Sequence, residues 1–142
     1  MQPCRKGQER MKRHEAREVA FIIIFEKSFQ DETPLDEIID SASESEFFEV
    51  NHFVTRTVKD VFNNLPQIDE TIERYLVGWS NARISRVARA ILRLGVYEIL
   101  FSDVPDGVAI NEAVEITKKY SEQKEASYIN GVLGSVARAK EA

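Results

Sequence analysis

The chain has 142 residues, of which 43% are hydrophobic and 30% charged, and its 19 Lys and Arg against 24 Asp and Glu give a net charge of −5. This composition is typical of a globular protein with a sizeable core and excludes a disordered chain. The single cysteine, Cys4, excludes an intrachain disulfide framework, and no apolar run approaches the roughly 18 residues of a membrane span, so we expect a cytoplasmic protein.

The predicted elements are all helices, because apolar residues recur at spacings of three and four and no stretch alternates for long. We expect an all-α fold in which a basic, disordered leader (1–11) precedes a single helical domain (12–142). Thr33 and Ser80 are the expected N-caps of the second and fifth helices. The seven helices are predicted at about 12–29, 34–43, 46–63, 66–78, 81–101, 108–121 and 125–139.

The fifth predicted helix separates an apolar face from a face that carries Arg86, Arg89 and Arg93. Beyond Arg93 this separation ends, since Val96 and Leu100 fall on the arginine side. The second half of the helix is therefore expected to be buried all round. That pattern predicts the central helix of the fold.

The charge is distributed unevenly along the chain. Residues 1–18 carry six Lys and Arg against three Glu, whereas residues 28–55 carry eight acids and neither Lys nor Arg. Exposed charges more than about 8–10 Å apart are largely screened at physiological salt. A local basic surface can therefore serve an anionic partner despite the negative total.

Motifs of the common catalytic sites are absent from the sequence. It contains no Gly-rich phosphate loop, no His/Cys ligand cluster and no Gly-x-Ser-x-Gly, and its acidic stretch reads as a solvated face. Without a nucleophile or base oriented by a third group, we expect no catalytic residue, no metal site and no cofactor. The sequence predicts a binding protein rather than an enzyme.

Two basic clusters are candidates for binding. The first combines Lys6, Arg10, Arg13 and Arg17 with His14, and the residues alone leave phosphate contact and a solvated face equally favoured. The second is the arginine face of the fifth helix. Its planar guanidiniums suit phosphate, but acids on helices two to four are numerous enough that internal ion pairs are favoured.

Two tyrosines, Tyr120 and Tyr128, flank the turn 121–125 between the last two helices. Exposed aromatic rings stack on unpaired bases, although the residues alone favour a core-capping role. Asn111 and Asn130 lie in otherwise apolar helical stretches. An amide there costs stability unless it is hydrogen-bonded, so we expect both to be structural clamps.

Four segments resemble the NusB family of transcription antitermination factors. They are EARE at 15–18, AILRLGVYE at 90–98, VAINEAVE at 108–115 and YINGVL at 128–133. The resemblance implies two three-helix bundles that share a long helix. It also implies a non-catalytic adaptor that pairs with NusE, a small-subunit ribosomal protein, and binds single-stranded boxA RNA in the elongation complex, supporting antitermination of ribosomal RNA operons.

The resemblance also implies roles for individual residues. RNA would contact Arg13, His14 and Arg17 on the first helix and Tyr120 and Tyr128 at the last junction. NusE would contact helices four to six, including Glu73, Arg83 and Arg86. Two positions depart from the family pattern, His14 where arginine is common and Lys124 where an acid can occur, so weaker or more pH-dependent RNA contact is expected.

An alternative function remains open at the level of sequence. The basic face could meet the acidic stretch of another chain, which would make the protein a protein-only scaffold or a homodimer without direct RNA binding.

Overall fold

The computed structural model describes residues 12–46, 49–76 and 84–141. Within these ranges the backbone forms seven α-helices and no β-strand, which confirms the all-α prediction. None of the helices so described is long and apolar enough to cross a membrane. The helices are α1 (Arg13–Lys27), α2 (Leu35–Ser43), α3 (His52–Asn63), α4 (Leu65–Leu76), α5 (Arg86–Phe101), α6 (Asp106–Tyr120) and α7 (Gln123–Glu141).

The chain divides into two compact units, Met1–Lys59 and Asp60–Ala142. The first unit contains α1 and α2, which pack on each other, and the first two turns of α3. Its core residues lie on all three helices and include Phe21, Ile24, Ile38 and Val54. The predicted leader, 1–11, lies outside the described residues, and the prediction of a single domain over 12–142 stays a prediction.

The second unit is built around α5, which packs against α4, α6 and α7. Every residue from Leu94 to Ile99 is buried, which confirms the expected central helix, but the burial all round ends before the last two residues, since Leu100 is half-buried and Phe101 is 40% exposed. Helices α6 and α7 are joined by only two residues and pack along each other. Core side chains of α7, such as Ile129 and Leu133, are fully buried.

Side-chain caps move the starts of α3 and α5 from their predicted positions. The Asn51 Oδ1 atom accepts the Val54 backbone N–H at 2.9 Å, and α3 begins at His52 rather than near residue 46. The Ser85 Oγ atom accepts the Ala88 N–H at 3.0 Å, so α5 begins at residue 86 rather than near 81. The predicted cap Ser80 lies outside the described residues.

Prolines precede α2 and α6. Pro34, with φ −57° and ψ 141°, is the N-cap residue of α2, so the prediction that Thr33 caps this helix is wrong by one residue. Pro105 has the same role at α6, which begins at Asp106 rather than near 108. A proline suits this position because its missing N–H would be unpaired at a helix start in any case.

The arginine face of α5 is paired with acids of α4. Arg93 makes a two-point interaction with Asp69, with N···O distances of 2.9 and 3.0 Å, and the Arg89 Nη2 atom lies 2.9 Å from the Glu73 Oε2 atom. The favoured prediction of internal ion pairs is therefore confirmed for these two arginines. The part-buried, two-point Arg93–Asp69 pair helps to hold α4 on the central helix.

A lysine near the end of α7 ties three helices of the second unit together. The Lys140 ammonium donates to the Ile99 carbonyl oxygen at 3.0 Å and to the Asp106 carboxylate at 2.7 Å. The contact therefore joins α7 to the last turn of α5 and to the first residue of α6. A cation near the carbonyl end of α5 is also favoured by the helix dipole.

Candidate functional site

The start of α1 presents a cationic surface in the first unit. Both Arg13 and His14 are exposed, and the Arg13 guanidinium lies 4.0 Å from the centroid of the Phe53 ring. The Lys12 backbone N–H donates to the Glu15 carboxylate at 3.1 Å, which satisfies one of the amides left unpaired at the helix start. Arg13 is thus held over an aromatic face while its donors remain accessible to an anion.

Arg17 is one turn further along α1, and the structure buries it to 5% exposure. Arg13 and Arg17 share a helix face, but its second turn is covered, as the buried neighbours Ala16 and Ala20 indicate. The expectation of a solvent-facing Arg17 is therefore wrong. A buried Arg17 is better placed to hold the exposed residues at the start of α1 in position than to contact a ligand directly.

The junction between α6 and α7 presents an aromatic and cationic surface in the second unit. Tyr120, the last residue of α6, is 37% exposed, and the Lys119 ammonium lies 5.6 Å from the centroid of its ring. Lys118, Lys119 and Lys124, all within four residues of Tyr120 along the chain, are exposed. Two of these lysines make exposed ion pairs, Lys118 with Glu115 and Lys124 with Glu122, both at 3.4 Å, and such pairs are weak in water.

A buried carboxylate organises this junction from below. Glu125, in the first turn of α7, is only 8% exposed. It accepts hydrogen bonds from the hydroxyls of Ser85 at 3.1 Å, Tyr128 at 2.8 Å and Ser121. One side chain therefore links the N-cap of α5, the residue that follows α6 and the second turn of α7.

Burial and hydrogen bonding act in opposite directions on the pKa of Glu125. Burial disfavours the charged carboxylate and by itself raises the pKa, but the three hydroxyl donors favour the charged form and lower the pKa overall. Tyr128 is half-buried, and burial together with its bond to the Glu125 carboxylate raises the pKa of its phenol. Its hydroxyl is thus held neutral and oriented.

The sequence did not reveal the role of Glu125, which had been assigned to the turn. One of its partners, Ser85, is 40 positions away, so no local pattern connects them. The position of an acid in the first turn of α7 was the available signal, because acids are favoured at helix starts.

The residues predicted to contact a protein partner lie on α4 and α5 or between them. Glu73 is exposed but already paired with Arg89, and Arg86 is exposed in the first turn of α5. Arg83 lies outside the described residues. Among the residues that are described, no group of three His, Cys, Asp or Glu could hold a metal ion.

A groove of about 680 Å³ runs between α6 and α7. Asn111 and Asn130 line it, and both are exposed. Neither amide makes a side-chain hydrogen bond to another described residue, so the prediction that they are structural clamps is wrong. The physical reason is that both face the groove rather than the apolar core that their sequence neighbours suggested.

The model of the NusB family matches residues 14–138 of the chain. The chain belongs to the NusB family. Among curated NusB proteins, that of Acetivibrio thermocellus, a transcription antitermination protein, is 40% identical over 132 residues, which are 92% of this chain and 91% of the relative. The family resemblance of the sequence is therefore confirmed.

Solved NusB structures have the same fold. NusB of T. maritima is 33% identical and gives a TM-score of 0.78, with 91% of this chain and 92% of that chain covered. A structure of the antitermination factors NusB and NusE in complex with dsRNA contains a chain that is 28% identical, with a TM-score of 0.77 and coverages of 89% and 96%.

Proposed function

We propose that this protein is an antitermination adaptor that pairs with NusE and binds boxA-type RNA in the transcription elongation complex. The α6–α7 junction carries the proposal, because its exposed Tyr120 ring lies 5.6 Å from the Lys119 ammonium and two further exposed lysines are within four residues along the chain. A ring for stacking beside cations for phosphate is the combination that holds unpaired RNA. The solved complex of the relatives NusB and NusE with dsRNA supports the same assignment.

The described residues are proposed to make different kinds of contact with RNA. Arg13 and His14 offer exposed donors to phosphate, and Tyr120 offers a stacking face. Tyr128, with its hydroxyl bound to Glu125, offers the edge and face of a ring whose orientation is fixed. Arg17, being buried, acts as a positioning residue for the start of α1.

Glu73 and Arg86 are proposed to contact NusE. Both are exposed on neighbouring elements of the second unit, and the Glu73–Arg89 pair is exposed enough to exchange partners at low cost. Arg83 stays a prediction for the same surface. The protein acts without catalysis, and its site of action is the cytoplasm, where bacterial transcription takes place.

Fluorescence anisotropy with a labelled boxA-type single strand tests the RNA function, with and without NusE and beside a duplex of the same sequence. Neutralisation of three or four phosphates predicts a log–log salt slope of about −2 to −3. No binding of either RNA, even with NusE present, would refute the proposal. A tight homodimer that binds no RNA would instead support the protein-only alternative.

Three variants assign the contacts. Arg13→Ala is expected to weaken binding about 5- to 20-fold and to reduce the salt slope by about 0.7. Tyr120→Ala should weaken binding about 5- to 100-fold through lost stacking, whereas Tyr120→Phe should bind normally. Arg138→Ala is the control, because it also removes one exposed positive charge. Arg138 lies about 22 Å along α7 from the first residue of that helix, and therefore far from the α6–α7 junction.

A further inference from the structure

The groove between α6 and α7 has a lining that is mainly apolar but includes several polar side chains. Its floor is apolar, with Ile110 and Val114 on the α6 side, while amide side chains reach it from both helices: Asn111 from α6 and Asn130 from α7. The volume of about 680 Å³ is within the range of small-ligand sites, about 300–1,000 Å³. The groove therefore has the size and the mixed lining of a binding site.

The two asparagines are exposed and line the groove. Asparagine is a poorer helix former than alanine, and neither amide gains a hydrogen bond to another described residue in exchange. Both exposed amides are therefore available to a ligand. An amide offers a donor and an acceptor side by side, which is the pattern that a nucleobase edge matches.

The groove continues from the proposed RNA junction. Lys118 and Gln123 line its near end, one on each side of the residues that join α6 and α7, so the groove opens at this junction. Lys118 is the one charged side chain in the lining, and its exposed pair with Glu115 is weak enough to be exchanged for phosphate. An RNA strand that is held at the junction and enters the groove thus meets the Lys118 cation and the amides of Gln123, Asn111 and Asn130.

The lining favours RNA over a protein partner. Anchor pockets for proteins are typically filled by aromatic or arginine side chains and lined by large apolar groups. Here the polar contributors besides Lys118 are three amides and the Ser127 hydroxyl, and the groove is open at Gly107, where an added Cβ would meet no side chain within 4 Å. These features suit a flat, hydrogen-bonding ring.

We propose that the α6–α7 groove is a base-reading subsite, in which Asn111 and Asn130 hydrogen-bond the edge of an unpaired nucleobase of the RNA that reaches the junction. This inference rests on the proposed RNA function and extends it from phosphate contact and stacking to recognition of sequence. Phosphate contacts fix the position of a strand, while contacts to base edges carry its specificity.

Anisotropy titrations of the full chain with a boxA-type single strand test the subsite. Asn111→Ala and Asn130→Ala are each expected to weaken binding about 5- to 100-fold, the value of a good contact to a base edge. The salt slope should not change, because no cation is removed. Asn63→Ala is the matched control, since Asn63 is an exposed amide at the end of α3, and should bind as the parent chain does.

A series of RNAs, each with one base removed, locates the contact. At one position, removal of the base and Asn111→Ala should cost no more together than either alone, which is the signature of a direct pair in a double-mutant cycle. Additive losses at every position would overturn the subsite. So would equal RNA affinity of the parent and the asparagine variants, or a loss of NusE pairing in their place.

Thermal unfolding separates this role from a structural one. If the amides serve only the ligand, each alanine variant should unfold about 1–3 °C higher than the parent chain, because alanine is the better helix former. A lower midpoint would show that the amides support the fold and would overturn the inference. Failure of the parent chain to bind any RNA would refute the proposed function as well, whereas normal binding by the variants would refute the subsite alone.

Discussion

Replacing Glu125 with glutamine tests how strongly the buried carboxylate holds the α6–α7 junction together. Glutamine has the same shape, but it is neutral and offers one acceptor oxygen in place of two. Hydrogen bonds to an ionised group are about twice as strong as neutral ones, so each of the three hydroxyl bonds should lose about 0.5–1 kcal/mol. Neutral glutamine avoids the desolvation cost of the buried charge, which offsets part of this loss. The free energy of unfolding should therefore fall by about 1–2 kcal/mol near pH 7.

The pH dependence gives the prediction its sign. The pKa of Glu125 in the folded chain lies below its ordinary value of 4.5, so the ionised carboxylate stabilises the fold above about pH 4.5. This stabilisation is lost as the pH falls through the lowered pKa of the folded state. The difference between the parent chain and Glu125→Gln should therefore be largest near neutrality and should shrink in acid.

Urea unfolding followed by far-UV circular dichroism at several pH values measures both effects. Glu122→Gln is the control, because Glu122 is exposed and pairs weakly with Lys124, and its effect should stay within about 0.5 kcal/mol. Absorbance titration gives a second measure, since the pKa of the Tyr128 phenol should fall when the neighbouring charge is removed. A Glu125→Gln chain as stable as the parent at every pH would refute the reasoning.

Four further predictions concern stability and are measured by urea unfolding. Ile91→Ala should cost about 2–5 kcal/mol, because Ile91 is fully buried in α5, and a loss below about 1 kcal/mol would contradict its core assignment. Gly95→Ala should cost about 1–3 kcal/mol, since the new Cβ would lie 2.8 Å from a methyl of buried Leu133. Gly107→Ala should instead stabilise by about 0.4–1 kcal/mol, because the Cβ meets open space, and effects of the same sign at both glycines would contradict this pair. Arg17→Ala should cost about 1–3 kcal/mol through its buried stem and lost polar interaction, and an unchanged free energy of unfolding would show that Arg17 is a surface residue after all.

The helices and the core were predictable from the sequence because buried positions of a helix carry apolar residues at regular spacings of three and four. The run from Leu94 to Ile99 contains one charged residue, Glu98, and otherwise has no polar face, and it is the part of α5 that is buried all round. The starts of α3 and α5 were not readable to the residue. Several polar residues precede each helix, and only the backbone geometry selects Asn51 and Ser85 as the caps.

The candidate site was predictable in composition but not in exposure. Arg13 and Arg17 are alike in the sequence, and only the packing of α1 distinguishes the exposed side chain from the buried one. The same limit applies to Asn111, whose apolar neighbours suggested the core although its side chain faces a groove. Glu125 was missed because its interaction with Ser85 exists only after α5 and α7 have been brought together.

The contribution of α7 to the second unit bears on how the chain folds during synthesis. Helices α4, α5 and α6 leave the ribosome first, yet Ile129, Leu133 and Lys140, which cover α5 and fasten its last turn, are translated only afterwards. Until α7 emerges, the most apolar helix of the unit has one side open to solvent, which is the condition under which nascent chains aggregate or engage chaperones. Slow translation of α7 would therefore lengthen the period during which this side of α5 is exposed.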